Sequence, residues 1–261
     1  MIIPKKSLGQ NFLIDKNIIE KIVNVTDVKN KNILEVGPGT GNLTEAILKK
    51  KPQNLIVIEK DNQLADDLSL KFFGQIKIIN KDILDVNEYT LSDKKLTVFG
   101  NLPYNISTEI LCKWILNLKN DFWFDCLILM FQKEVADRII AKFNTKNYSR
   151  LSILSKWKLE IEKICDINPN CFFPKPKVES SLIICKPKKK FYRFKDPRNL
   201  EKITRVFFMH KRKMLKKPYK QMFNENSKVA EKLKINLNLR PHNLNLNTYF
   251  MLTEEYENLR S

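Results

Sequence analysis

The apolar run Ile33-Leu34-Glu35-Val36 leads straight into Gly37-Pro38-Gly39-Thr40-Gly41 and then into Asn42-Leu43-Thr44-Glu45-Ala46-Ile47-Leu48. Strand, glycine turn and helix in immediate succession admit few folds. Glycine tolerates positive φ and lets the main chain approach a ligand closely, and open α/β sheets bind ligands at the carboxyl edge of their strands. Two further apolar runs repeat the theme: Leu55-Ile56-Val57-Ile58 ends in Glu59, and Ile76-Lys77-Ile78-Ile79 is followed by Asp82. Each carboxylate taken singly could be a solvated strand end or a helix cap. Ligand-like features at the ends of three successive strands point instead to one site, with Glu59 placed to accept from ribose hydroxyls. The turn reads G-x-G-x-G, so its third glycine comes one residue earlier than in the G-x-G-x-x-G dinucleotide fingerprint, and Pro38 stiffens it. That spacing, with no acid/base for hydride transfer in view, disfavours a nicotinamide oxidoreductase.

A fourth apolar run, residues 96–99, ends in Gly100 and the tetrapeptide Asn101-Leu102-Pro103-Tyr104. The exocyclic amine of adenine shares its lone pair with the ring, and two hydrogen-bond acceptors can draw that pair out of conjugation. The side-chain oxygen of Asn101 is one candidate. The Leu102 carbonyl is the other, because the residue before proline is held extended and Pro103 carries no N–H. Tyr104 adds a flat ring on which a base can stack. Four residues alone also fit a plain Asn/Pro turn with a stray tyrosine.

Strand-like runs alternate with helical patterns from Ile33 to about Ile184, as in a parallel sheet with helices on both faces. The apolar spacing predicts helices over 42–50, 62–70, 107–118 and 133–143. After Cys185 the pattern changes: a Lys/Pro linker, Lys186-Pro187-Lys188, opens onto helix-period segments at 199–210, 227–234 and 246–258. Two domains are expected, 1–186 and 187–261, the second small and all-helical.

Charge singles out the second domain. The chain carries 47 Lys+Arg against 29 Asp+Glu, a net charge of +18, and thirteen of those eighteen charges fall between Lys186 and Lys220. Lys188-Lys189-Lys190 and Lys211-Arg212-Lys213 are interleaved with Phe191, Tyr192, Phe194, Phe207 and Phe208. Cations with aromatics between them suit an RNA backbone and its bases, although some of these rings must serve the core.

The five cysteines, at 112, 126, 165, 171 and 185, are odd in number and contain no C-x-x-C pair, so neither zinc nor a disulfide framework is expected. His210 and His242 stand without a metal-ligand set, and no G-x-S-x-G elbow accompanies them for a hydrolase. No apolar stretch reaches spanning length, and the start lacks the long apolar region of a signal peptide, so a cytoplasmic location is expected.

Together these residues resemble the small-subunit ribosomal RNA adenine dimethyltransferases, which use S-adenosylmethionine. The resemblance runs nearly end to end: Lys6-Ser7-Leu8-Gly9-Gln10-Asn11-Phe12-Leu13 is similar to the family's opening signature, VGPGTG to its cofactor loop and GNLPYNIS, residues 100–107, to its catalytic motif. Phe131-Gln132-Lys133-Glu134-Val135, Tyr148-Ser149-Arg150-Leu151-Ser152 and Phe172-Phe173-Pro174-Lys175-Pro176-Lys177-Val178-Glu179-Ser180 follow in the family's order. The resemblance implies a Rossmann-like methyltransferase sheet with a C-terminal helical domain. It further implies cofactor contacts from Asn11, Leu13, Gly37, Gly39, Gly41, Glu59, Asp82 and Asn101, and target contacts from Asn101, Leu102, Pro103, Tyr104 and Phe172. The substrate implied is a pair of adjacent adenosines near the 3′ end of small-subunit ribosomal RNA, met within a preassembled subunit by a monomeric enzyme. The base would be flipped out and held between Tyr104 and Phe172. Departures are small: Thr40 and Asn42 extend the cofactor loop, and Lys175 interrupts the proline run after Phe172. Two other functions share parts of the pattern, a large-subunit RNA adenine methyltransferase of the macrolide-resistance type and a non-enzymatic RNA-binding assembly factor. The Phe-Pro-Lys-Pro-Lys-Val segment and the intact cofactor loop lean away from both.

Overall fold

The computed structural model describes residues 4–5, 8–119, 121–224 and 227–260, so Lys6 and Ser7 of the opening signature lie outside the described residues. Among the described residues, β2 (Asn32–Val36), β3 (Asn54–Glu59), β4 (Lys77–Asn80), β5 (Leu96–Asn101), β6 (Phe124–Gln132), β7 (Leu159–Ile167) and β9 (Ser180–Pro187) form one seven-stranded sheet. Its order is β4-β3-β2-β5-β6-β9-β7. The central strands are nearly continuous in apolar residues, with Ile33, Leu34, Val98, Phe99, Leu127 and Leu129 fully buried, the mark of strands covered on both faces. Parallel registers run Leu34 to Ile56 on one side of β2 and Leu34 to Val98 on the other. The chain therefore steps outward through β3 and β4 and then returns to place β5 on the opposite flank of β2. Loops leaving β2 and β5 diverge at that reversal and open a crevice at their carboxyl ends. The glycine turn and the Asn101–Tyr104 segment both fall there.

The sheet is mixed rather than wholly parallel: β9 runs antiparallel to β6, pairing Leu129 with Ile183. No helix as long as a crossover separates β7 from β9, only a 3₁₀ turn, a two-residue strand and a loop, and a parallel return needs a longer connection. That two-residue strand, β8 (Phe172–Phe173), pairs antiparallel with β1 (Phe12–Leu13), setting Phe12 opposite Phe173 and Leu13 opposite Phe172.

Helices α2 (Asn42–Lys49), α3 (Asn62–Lys71) and α4 (Ser107–Asn117) begin and end within a residue of their predicted bounds. α5 (Lys133–Ile140) stops three residues short of its predicted end, and the chain turns beyond it at Asn144, whose φ of 65° is left-handed. α1 (Lys16–Val23) went unpredicted, although Asp15 caps it through the Ile18 N–H and Ile19, Ile22 and Val23 bury one face.

The chain forms two compact units. The first gathers residues up to Lys113 with Leu118–Ala136 and Ile161–Pro187; the second joins Lys188 onward to Trp114–Asn117 and Asp137–Glu160. The second unit contains α6 (Arg150–Lys158), α7 (Pro197–Met209), α8 (Lys216–Phe223), α9 (Ser227–Lys232) and α10 (Leu246–Asn258). The Lys/Pro linker marks one of its borders, but the unit also recruits α6, which packs against α7 and α10. Its apolar side chains supply the reason: Ile153, Leu154 and Trp157 are buried, and the Trp157 indole N–H donates to the Tyr192 carbonyl at 2.7 Å. Several aromatics of the basic stretch are packing residues here. Phe207 lies edge-on to Tyr249 with centroids 5.9 Å apart, and Phe194 leans on Trp157. Lys211, Arg212 and Lys213, between α7 and α8, are exposed.

Candidate active site

The ends of β2, β3 and β5 and the turn after β4 enclose a cleft of about 150 Å³ in the first unit. Gly37 and Gly39 line it because no side chain fits there. At φ 70°, a Cβ on Gly37 would stand 3.1 Å from the Asn101 carbonyl oxygen, and at φ 56° one on Gly39 would drive to 2.6 Å from the Phe12 ring. Gly41 does not line the cleft; it precedes α2, and a Cβ there would meet Phe72 and Leu68 of the neighbouring layer.

Glu59 ends β3 nearly buried, accepting from the Gly39 N–H at 3.2 Å and the Asp61 N–H at 2.9 Å. Burial pushes its carboxyl above the usual range, and the backbone donors only partly offset this. The lone pairs these backbone donors leave unused keep acceptor capacity for a hydroxyl. Asp82 accepts from the Leu84 N–H at 2.9 Å and from Lys60 Nζ at 2.6 Å. Partial burial would raise its carboxyl, but the Lys60 ammonium and the Leu84 donor hold it below its ordinary value. Lys113 of α4 steadies that turn, donating to the Ile83 carbonyl and to Glu88, each at 2.8 Å.

The Asn101 amide is oriented by the opening segment. Its Nδ2 donates to the Asn11 carbonyl at 2.8 Å, which turns Oδ1 to the other side as the acceptor. Asn11 in turn donates from Nδ2 to the Gly9 carbonyl at 3.1 Å, while Asn42 Nδ2 holds the Leu13 carbonyl at 2.8 Å. Asn11, Asn101, Leu102, Pro103 and Tyr104 all line the cleft. Leu13 lies one step behind, against a small cavity of about 20 Å³ that also touches Glu35, Asn42 and Asn101. The Tyr104 hydroxyl is hydrogen-bonded to Ser180 Oγ, and burial raises its pKa, less the effect of that bond.

Phe172 is not on the cleft surface. Strand alternation sends Leu13 and Phe172 to one face of the β1–β8 ribbon, where Phe172 is 2% exposed in a core cluster with Leu13, Ile19 and Met130. Phe173, on the opposite face beside Phe12, is 56% exposed.

Several residues at the site were given no individual role in the sequence reading. Leu8, Gln10, Lys60 and Asn105 line the cleft. Glu35, in the middle of an apolar strand, is 1% exposed; Thr44 Oγ1 donates to it at 2.7 Å, and burial, opposed by that bond and reinforced by Glu59, raises its pKa to about 8. A lone carboxylate inside a buried strand pattern was a signal that something satisfies it.

Residues 3–258 match the family described as ribosomal RNA adenine dimethylase. The chain belongs to that family. The ribosomal RNA small subunit methyltransferase A of Pelagibacter ubique (strain HTCC1062) is 64% identical to it over 98% of each chain. That of Wolbachia sp. subsp. Drosophila simulans (strain wRi) is 42% identical over 97% of this chain and 94% of the relative. Among solved structures, a dimethyladenosine transferase from Plasmodium falciparum superposes with TM-score 0.79 at 27% identity, covering 95% of this chain and 98% of its own. The 23S rRNA methyltransferase ErmE, at 20% identity and TM-score 0.68 over 95% of this chain and 100% of its own, shares the fold. The Rossmann-like sheet with helices on both sides and further helices at the C-terminus is thus the architecture of this dimethylase and of its solved neighbours.

Proposed function

We propose that this dimethylase transfers methyl groups from S-adenosylmethionine to the exocyclic amine of adenine in small-subunit ribosomal RNA, twice on each of two adjacent adenosines near the 3′ end. The observation that carries the reading is the Asn11 carbonyl fixing the Asn101 amide, which leaves Oδ1 as a pre-set acceptor for an amine hydrogen, with the Leu102 carbonyl, ahead of Pro103, as the second acceptor of the proposal. Bound S-adenosylmethionine supplies the electrophilic methyl on its sulfonium. Glu59 would hold its ribose hydroxyls and Asp82 its adenine, while Gly37 and Gly39 admit it close to the backbone. These residues fit such a molecule: the glycines leave space a Cβ would fill, and both carboxylates keep acceptor capacity at the rim. The methylated amine loses its proton readily to water, so the chain's own work is positioning and electrostatics rather than strong-base chemistry.

The flipped base rests on Tyr104. For Phe172 to take its other face, the ring has to leave the core, at roughly 1.5–3 kcal/mol for exposing a phenyl side chain. Base–aromatic stacking is worth about 1–3 kcal/mol, so the movement is near break-even and RNA binding can drive it. Residues 1–186 act as the methyltransferase domain and 187–261 as a basic RNA-binding domain in which Lys211, Arg212 and Lys213 contact phosphates. The enzyme works as a monomer in the cytoplasm on a preassembled small subunit. The test is direct: incubate the protein with labelled S-adenosylmethionine and undermethylated small subunits, then map the label. Label on the paired adenosines as dimethyladenine supports the reading. Label in large-subunit RNA overturns the substrate, and binding without label overturns the enzymatic role.

A further inference from the structure

Asp61 joins three parts of the cofactor side of the cleft without lining it. Its backbone N–H donates to Glu59 Oε1 at 2.9 Å, and its side chain caps α3 through the Gln63 N–H at 3.1 Å. The same carboxylate, its side chain 3% exposed, takes Lys5 Nζ on Oδ1 at 2.9 Å and Gln10 Nε2 on Oδ2 at 3.0 Å. Gln10 Oε1 closes the arrangement by accepting the Lys5 N–H at 2.7 Å. Leu8, Gly9 and Gln10 form one wall of the cleft. Beyond them the chain is held by other means: β1 pairs with β8, and Asn42 holds the Leu13 carbonyl. Among the described residues, the hydrogen bonds that tie Lys5, Leu8, Gly9 and Gln10 to distant parts of the first unit all end on Asp61.

We propose that Asp61 is a positioning residue that, through Lys5 and Gln10, pins Leu8, Gly9 and Gln10 as a wall of the cofactor cleft, so that it sets cofactor affinity and residence time while leaving the methyl-transfer step alone. The proposal rests on the reading of this cleft as the S-adenosylmethionine site. A wall already pinned costs less to order when the cofactor arrives, and that saving appears as tighter binding. The Asn101 anchor, the Asn11 carbonyl, has its own support from the adjoining β1, and its one hydrogen bond to the wall is from Asn11 Nδ2 to the Gly9 carbonyl at 3.1 Å.

Asp61→Asn isolates the effect. Asparagine caps a helix as well as aspartate, so α3 keeps its start, but the amide cannot accept from both Lys5 and Gln10. Lys5→Met removes the charged tie from the other end with the cap untouched. Calorimetry with S-adenosylmethionine and stopped-flow dissociation should show Asp61→Asn binding about tenfold more weakly, the scale of losing partly exposed charge-assisted hydrogen bonds. The change should lie mainly in the off-rate, and trypsin should cut after Lys5 faster. Turnover on undermethylated small subunits at saturating cofactor should stay within about twofold, and Lys5→Met added to Asp61→Asn should cost little more, because the two share one interaction. Unchanged affinity in Asp61→Asn, a fall in saturated turnover with normal affinity, or additive losses in the double variant would each overturn the latch. If the wild-type protein binds no S-adenosylmethionine, the cleft assignment itself fails, a result distinct from equal binding by wild type and variant.

Discussion

Replacing Asn101 with alanine tests the acceptor pair at its centre. In the folded protein one Nδ2 N–H is given to the Asn11 carbonyl at 2.8 Å, which presents Oδ1 as the side chain's acceptor for a bound amine. Alanine removes the side-chain acceptor and strands the Asn11 carbonyl. Deleting one preorganised hydrogen-bonding group in an enzyme site costs about 2.7–4 kcal/mol in the transition state, or roughly 10²–10³ in rate. Asn101→Asp is the sharper companion: it keeps the shape, but a carboxylate has no N–H to give Asn11 and sets oxygen against oxygen, so it should also lose about 10²-fold. The assay is single-turnover methylation of undermethylated small subunits with labelled donor, with cofactor affinity measured separately by calorimetry. Affinity should change by no more than about threefold, since the loss falls on the transition state. Rates within threefold of wild type, or a loss wholly explained by weaker cofactor binding, would refute the acceptor mechanism.

Glu35→Gln should change the pH dependence of stability. Because the folded carboxyl is raised to about 8, its stabilising proton is fully present below about pH 4.5 and is lost as pH rises through the folded value. Wild type should therefore lose stability between pH 5 and 8, on the order of a few kcal/mol from this group, while the glutamine variant matches it near pH 5 and exceeds it at pH 8. Parallel denaturation curves for the two proteins across that range would count against a neutral Glu35. Changing Lys211, Arg212 and Lys213 together to alanine should weaken binding to small subunits and lower the slope of log affinity against log salt by roughly two, from about 0.7–0.9 per phosphate contact; an unaltered slope makes the cluster a solvated surface. Phe172→Leu keeps an apolar side chain in the core but removes the ring; because leaving the core offsets most of the roughly 1–3 kcal/mol of stacking, turnover should fall only about two- to fivefold while the thermal midpoint shifts by only a few degrees. Full activity in that variant would leave Phe172 as core packing alone.

Local chemistry was legible in the chain. Asp61 and Asn245 cap the helices that begin at the next residue, and α10 occupies the predicted span, because a capping side chain and a 3.6-residue apolar period act within a few residues of themselves. The glycine turn, Glu59, Asp82 and the Asn101–Tyr104 segment likewise stand at strand ends, where short-range patterning put them. Tertiary structure alone decided what depends on partners far along the chain. The reversal of β9, the capture of α6 by the C-terminal helices, the proton held on Glu35 and the ties from Lys5 and Gln10 to Asp61 each need a neighbour that no local pattern names. Phe172 and Phe173 make the point most plainly: adjacent in sequence and identical in chemistry, they part because β8 pairs with a strand about 160 residues away. In a strand whose side chains alternate, that register sends one ring into the core and the next into solvent.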